Sequence, residues 1–245
     1  MKELYIATNN GDMGGGEVML LNIARAARSL GYKVTIVGPS EPKQLVEAAA
    51  DEGFPRIVLP AKNRAQYMVA LRSWHARHKD VLLWCNGLVP AAATGGRKNR
   101  IELFANWVSG VSTELDHRVG ERRLRVGYLG RLTPSKGIAT LCQAMSSLNS
   151  NGIEYDLVIG GEPVFASDEE RAEVEDALAR VATFSTRLGW TTPDRLFGDI
   201  DMLVVPSIAP ESFGLVVAEA MSARVPVVVS DAGALSEVLG GASYP

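Results

Sequence analysis

The sequence predicts an α/β protein built from two parallel sheets, each with helices on both faces. Two observations carry that prediction. Short apolar runs of strand length alternate with helical stretches from end to end, and such alternation makes parallel sheets. The series then restarts near the middle of the 245 residues, enough chain for two small lobes with real cores. The boundary is expected near Val119 to Arg122, giving lobes over 1–120 and 121–245.

In the first lobe, Leu4 to Ala7 reads as a strand, and a glycine loop then opens a helix from about Glu17 to Leu30. Val34 to Val37 is the next strand, Leu45 to Ala50 a helix, Ile57 to Leu59 a short strand and Ala65 to Arg77 a helix. Val81 to Trp84 is expected as a buried strand and Trp107 to Val111 as the last of this lobe. The second series begins with a strand at Leu124 to Leu129, a helix at Ile138 to Leu148 and a strand at Tyr155 to Ile159. An acidic helix over Glu169 to Val181 presents its charges to water. Strands follow at Phe184 to Leu188, Met202 to Val205 and Val227 to Val229, with a helix from Leu215 to about Ala223 between the last two. Ligands of open α/β sheets sit at the carboxyl ends of the strands, so a cleft between the lobes is the expected site.

Composition removes several classes. A net charge of −3 carries no basic excess for nucleic acid. Met1 to Thr8 runs straight into a strand without a signal peptide, and no run reaches the roughly twenty apolar residues of a membrane span. Cys85 and Cys142 read as buried thiols of a reducing, cytoplasmic compartment. His75, His78 and His117 form no cluster with them for zinc.

Gly14-Gly15-Gly16-Glu17 joins the first strand to its helix. Such glycines bring backbone N–H groups and a helix start close to an anion. The loop lacks the spacing of a dinucleotide fingerprint and the Lys-Ser/Thr of a P-loop, so a simple tight turn explains it equally well.

The second half is more informative. Gly130 to Gly137 joins a strand to a helix and holds Arg131 and Lys136, five residues apart. Fixed cations stabilise a leaving diphosphate more than its ground state. Arg131 can grip phosphate oxygens with two parallel bonds, while Lys136 acts as a point charge. Glu211 then stands in a loop after Pro206-Ser207, and Glu219 lies inside the following helix. Gly214 lets that helix present its first N–H groups to an anion. Glu211 can accept from sugar hydroxyls on one side of the anion and Glu219 can reach a ribose on the other.

These residues resemble the GT-B glycosyltransferases of the large retaining group often called family 4. The resemblance covers nearly the whole second half, from Val126 to Leu132 with Lys136-Gly137, through Asp201 to Ser207, to the two acids at E-x7-E spacing. It ends in Ala220-Met221, Pro226 to Val228 and Gly233 to Glu237. In the first half it rests on the glycine loop and on Val108 to Ser112. The resemblance implies two Rossmann-like lobes facing a central cleft, the first on the acceptor side and the second on the donor side. It implies a retaining, metal-independent transfer of a sugar from a nucleotide diphosphate, UDP or GDP, to an acceptor hydroxyl in glycan, glycolipid or glycoconjugate biosynthesis. No cofactor is implied. The acceptor would be a carbohydrate, a lipid-linked sugar or a small molecule, and a lipid-linked acceptor would bring peripheral contact with the inner membrane face. Arg72, Arg77, Lys79, Arg97, Lys98 and Arg100 are a candidate cluster for such contact, or ordinary surface charge.

Carried over by position, Arg131 and Lys136 would hold the diphosphate, Glu211 would orient the donor sugar and Glu219 would hold the ribose. The amides near Phe213, Gly214 and Leu215 would meet phosphates and sugar, and Gly15 and Gly16 would close the site from the first lobe. Asp199-Ile200-Asp201 spells the D-x-D of metal-dependent glycosyltransferases, but its place before a strand makes these solvated acids. The sequence departs from the family at Arg100-Ile101, where an acceptor-side histidine is usual, at Val119 to Leu124, and after Tyr244-Pro245. The natural polypeptide is therefore expected to have further segments there, and His117 to be a surface residue. Two other classes use a similar outline. One is a catalytically inactive GT-B-like protein that binds nucleotide sugars. The other is a nicotinamide-dependent oxidoreductase, which the missing G-x-G-x-x-G disfavours.

Overall fold

A computed structural model describes residues 2–95, 108, 110–111, 123–164 and 166–240. The chain divides into two compact units, Met1–Ala105 and Asn106–Pro245. The expected boundary at Val119 to Arg122, Trp107 and Ser109 of the expected strand at Trp107 to Val111, His117, Arg97, Lys98 and Arg100 lie outside the described residues, while Val108, Gly110 and Val111 of that strand are described and are not in a strand.

The first unit runs β1 (Glu3–Ala7), α1 (Gly15–Ser29), β2 (Lys33–Pro39), α2 (Gln44–Asp51), β3 (Arg56–Leu59), α3 (Arg64–Arg77), β4 (Leu82–Cys85) and α4 (Leu88–Ala93). Its strands lie in the order β3-β2-β1-β4, every pair parallel. Side chains alternate between faces. Ala7 and Val37 join Tyr67, Leu71 and Trp74 of α3 and Val89 of α4 in one core, while Ile6 and Ile36 are fully buried on the other face.

α1 opens two residues earlier than the sequence suggests. Glu17 Oε2 accepts the N–H of Gly14 at 3.2 Å, so Glu17 is the acid of a capping box rather than the first residue of the helix. The strand expected as buried at Val81 to Trp84 is also corrected. β4 ends the sheet among the described strands, pairing only with β1, and Leu82 is 54% exposed.

The second unit runs β5 (Leu124–Leu129), a 3-10 turn (Pro134–Lys136), α5 (Ile138–Ser150), β6 (Tyr155–Gly160), α6 (Asp168–Ala179), β7 (Ser185–Gly189), α7 (Pro193–Phe197), β8 (Met202–Val205), α8 (Leu215–Ser222), β9 (Val227–Val229) and α9 (Leu235–Leu239). Its parallel order is β7-β6-β5-β8-β9. β6 shows how one strand serves two cores. Leu157 and Ile159 pack with α5 and α6, while Val158 packs with α7 and α8. Two parallel sheets are therefore present, each flanked by helices, as the alternation predicts.

α6 begins where Ser167 and Glu170 cap each other, the Ser167 N–H donating to Glu170 Oε2 at 2.8 Å and the Glu170 N–H to Ser167 Oγ at 3.2 Å. Its acids face water as expected, and Glu175 takes both guanidinium nitrogens of Arg187. α4, α7 and α9 are additions to the predicted elements.

Phe197 is fully buried at the centre of the α7–α8 core. Phe197→Ala removes that volume where little can collapse into it, so we expect a loss of about 3–5 kcal/mol in urea unfolding, with the midpoint falling and the slope unchanged.

Candidate active site

The loop after β8 is seated on the loop after β5, although more than seventy residues separate them in the chain. The Ser135 carbonyl accepts the N–H groups of Ile208 and Ala209 at 3.0 and 3.1 Å. Gly137 lies in the left-handed region at φ 72°, and a Cβ there would overlap the Pro206 carbonyl, so no other residue permits this approach. The contact brings Lys136 to Glu211. Lys136 Nζ donates to Glu211 Oε1 at 2.5 Å, and Ser207 Oγ donates to the same oxygen at 2.6 Å.

The Glu211 backbone is held from the other side. Its N–H donates to the Ala232 carbonyl and its own carbonyl accepts the Ala234 N–H at 2.9 Å. Residue 211 thus forms a one-residue parallel bridge with Gly233. Burial alone would raise the Glu211 carboxyl. The bonds from Lys136 and Ser207, with the charges of Lys136 and Arg131, outweigh burial and hold it below the usual carboxylate range.

Arg131 is exposed on the same loop, and its backbone is fixed from beneath. Tyr128 Oη donates to the Arg131 carbonyl at 2.7 Å, and the Leu132 N–H donates to the Glu162 carbonyl at 3.0 Å. Burial, then the nearby negative charge of Glu211, push the Tyr128 phenol up, so it serves as a neutral donor.

Gly214 caps α8 in the left-handed region at φ 89°, where a Cβ would overlap Leu235. The Val217 N–H turns back to the Gly214 carbonyl at 2.9 Å, so the open N–H groups at the start of α8 are those that precede it. Glu219 lies along the same helix, half-buried, and its carboxylate has no hydrogen bond among the described residues. Burial raises its carboxyl, and the negative charge of Asp194 in α7 raises it further. The two acids picked out from the sequence are thus opposite in character. Glu211 is a paired, ionised group, whereas Glu219 is an unpaired one that a hydroxyl donor would satisfy.

The structure therefore brings Arg131, Lys136, Glu211, Phe213, Gly214, Leu215 and Glu219 onto the loops and helix start at one end of the second sheet. Gly15 and Gly16 belong to the first unit, where both are exposed at the start of α1; the Gly16 carbonyl accepts from Asn86 Nδ2 at 3.1 Å. Ser207, Tyr128 and Asp194 complete the electrostatics and were not singled out from the sequence. The Asp199-Ile200-Asp201 segment has a structural task. Asp201 Oδ2 accepts the Arg125 N–H at 2.7 Å, joining the start of β8 to that of β5. A cavity of about 380 Å³, lined by Arg125, Asp156, Phe184, Thr186 and Asp199 among others, opens at the amino ends of the strands. That is the end opposite to where such sheets bind ligands, and its Arg125 and Asp199 pair with each other at 3.8 Å. Among the described residues no helix is long and apolar enough to cross a membrane.

Two parallel α/β sheets of this kind match the GT-B glycosyltransferase fold. The structure of Anabaena HepE in complex with UDP-glucose superposes with a TM-score of 0.74 at 17% identity, covering 97% of this chain and 82% of that one. The chain belongs to the family of glycosyl transferases group 1, whose model matches residues 115–243. Among curated relatives, the lipopolysaccharide 1,2-N-acetylglucosaminetransferase of Salmonella typhimurium is 35% identical over 122 residues, 46% of this chain and 32% of that protein. The O-antigen chain mannosyltransferase B of Escherichia coli is 34% identical over 125 residues, 47% of this chain and 30% of that protein. The match thus spans about a third of the length of these relatives.

The opposite shifts of the two acids have opposite linkage. The lowered Glu211 carboxyl contributes stability that is present above the ordinary value of 4.5 and is lost as pH falls through its native value. The raised Glu219 carboxyl costs stability once pH rises from 4.5 through its native value. Urea unfolding from neutral pH downward should show Lys136→Met less stable and Glu219→Gln more stable than the parent at pH 7. Both differences should shrink in acid.

Proposed function

We propose that the chain is a retaining, nucleotide-sugar-dependent glycosyltransferase of the family 4 type, acting without a metal in the synthesis of a glycan or glycoconjugate. The carrying observation is the Lys136–Glu211 pair, with Ser207 on the same carboxylate oxygen, beside exposed Arg131 and the open start of α8. Cations, helix N–H groups and an ionised carboxylate are then gathered within a few side chains of one another.

The diphosphate takes Arg131 and Lys136 together with the amides of Phe213, Gly214 and Leu215. As the bond from sugar to phosphate breaks, charge grows on the leaving oxygen, and the fixed cations favour that state over the ground state. Glu211 orients the donor sugar through its hydroxyls and forms no covalent bond to it. The acceptor attacks from the face the leaving group departs, and the leaving phosphate takes the acceptor proton, which gives retention. Glu219 takes the ribose hydroxyls, which supply the hydrogen bonds its carboxylate lacks. For the first unit, we assign acceptor binding and, at Gly15 and Gly16, a contact with the donor. We place the protein in the cytoplasm, at the inner membrane face if its acceptor is lipid-linked. UDP and GDP sugars are the donors of choice; HepE was solved with UDP-glucose.

The test is calorimetry with UDP, GDP and ADP and their glucose, mannose and N-acetylglucosamine esters where these exist, in EDTA. One nucleotide should bind without metal. Glu219→Ala should weaken it about tenfold, the loss of a charge-assisted hydrogen bond. A folded wild type that binds none of the panel sinks the reading, and binding that vanishes in EDTA sinks its metal-independent form.

A further inference from the structure

Ser207 touches no substrate in the mechanism above, yet it is 3% exposed and spends its hydroxyl proton on the site. A buried serine of no consequence would bond to a nearby backbone carbonyl. Instead, Ser207 Oγ donates to Glu211 Oε1 at 2.6 Å, the oxygen that Lys136 already holds. Two donors on one oxygen leave Oε2 without a hydrogen bond among the described residues. The serine is itself held, since Ser230 Oγ donates to the Ser207 carbonyl at 2.6 Å, tying the loop after β8 to the end of β9.

We propose that Ser207 is a positioning residue that decides which oxygen of Glu211 meets the substrate. With Oε1 saturated by Lys136 and Ser207, the carboxylate cannot turn over without breaking two charge-assisted bonds, and Oε2 is the acceptor offered to the donor sugar. This rests on the functional reading above for its purpose, but not for the hydrogen bond. A sharp consequence follows for Glu211→Gln. Two donors facing one position require the amide oxygen there, which sends the NH2 group outward and replaces an acceptor with a donor toward the sugar.

The experiment pairs a titration needing no ligand with binding of two probes. In the full chain, the Glu211 carboxyl is followed by carbon NMR against pH in the wild type, Ser207→Ala and Ser207→Cys, the thiol being a weaker donor of similar shape. UDP and UDP-glucose are then titrated into each protein and into Glu211→Gln by calorimetry, with other nucleotide sugars substituted if the wild type prefers them. The Glu211 carboxyl should titrate higher in Ser207→Ala, with Ser207→Cys between. The nucleotide sugar should bind about tenfold more weakly to Ser207→Ala, while the free diphosphate keeps its affinity within about twofold. Glu211→Gln should lose the sugar's contribution as well.

An unchanged Glu211 titration in folded Ser207→Ala overturns the proposal. Equal weakening of nucleotide sugar and free diphosphate also overturns it, because the serine would then shape the loop rather than aim the carboxylate. A wild type that binds no nucleotide at all overturns the functional reading and the purpose given to Oε2. That failure is distinguishable because the titration proceeds without ligand.

Discussion

The site depends on one backbone contact, the seating of the loop after β8 on the loop after β5. Ser135 receives two N–H groups from Ile208 and Ala209, and the Gly137 backbone lies against the Pro206 carbonyl. These bonds join neutral groups and are worth about 1 kcal/mol each. Their importance is geometric. They bring a lysine and a glutamate from distant parts of the chain within bonding reach. The parallel pairing of β5 with β8 makes the two loops neighbours, and the amide bonds fix how far each projects. Lys136, Glu211 and Ser207 then need only ordinary side-chain conformations to meet.

Around that contact the protein treats its two acids differently, and the reason is what each faces. Glu211 has Lys136, Ser207 and the field of Arg131 to outweigh its burial, so the chain itself stabilises its charge. Glu219 has Asp194 as its charged neighbour and burial besides, so its charge is held at a cost to the fold. Residues that destabilise the free protein are common where a ligand completes the set of partners. On the function proposed above, the contrast separates a group that is prepared in advance from one that is finished by binding.

Much of the architecture was legible in the sequence because a parallel sheet writes itself as alternation. Runs such as Tyr155 to Ile159 and Met202 to Val205 are bounded by glycine, proline or acids, and each became a strand. The short helices α7 and α9 escaped because five residues carry no readable period. β4, whose apolar run suggests burial, is only partly covered and has one neighbouring strand among the described residues, because such a run states composition and not what packs beside it. At the candidate site, the sequence singled out Arg131, Lys136, Glu211 and Glu219, which the fold gathers at one end of the second sheet. It did not show that Lys136 spends its charge on Glu211, since a pairing across the sheet leaves no trace in local spacing. Ser207 and Asp194 were hidden for the same reason, and Asp201, expected as a solvated acid, is half-buried and bonded to the Arg125 amide.

The bridge between Glu211 and Gly233 bears on how such a site can change over time. A Cβ on residue 233 would collide with the backbone of residue 211, just as one on residue 137 would collide with Pro206. The floor is main chain against main chain, with no side chain available for selection to trade. Side-chain variation is thereby left to exposed positions at the rim of the sheet, such as Trp190, which is 75% exposed just after β7. A mutational library that spares the two glycines and samples the rim would explore that variation without spending most of its members on chains that cannot close the floor.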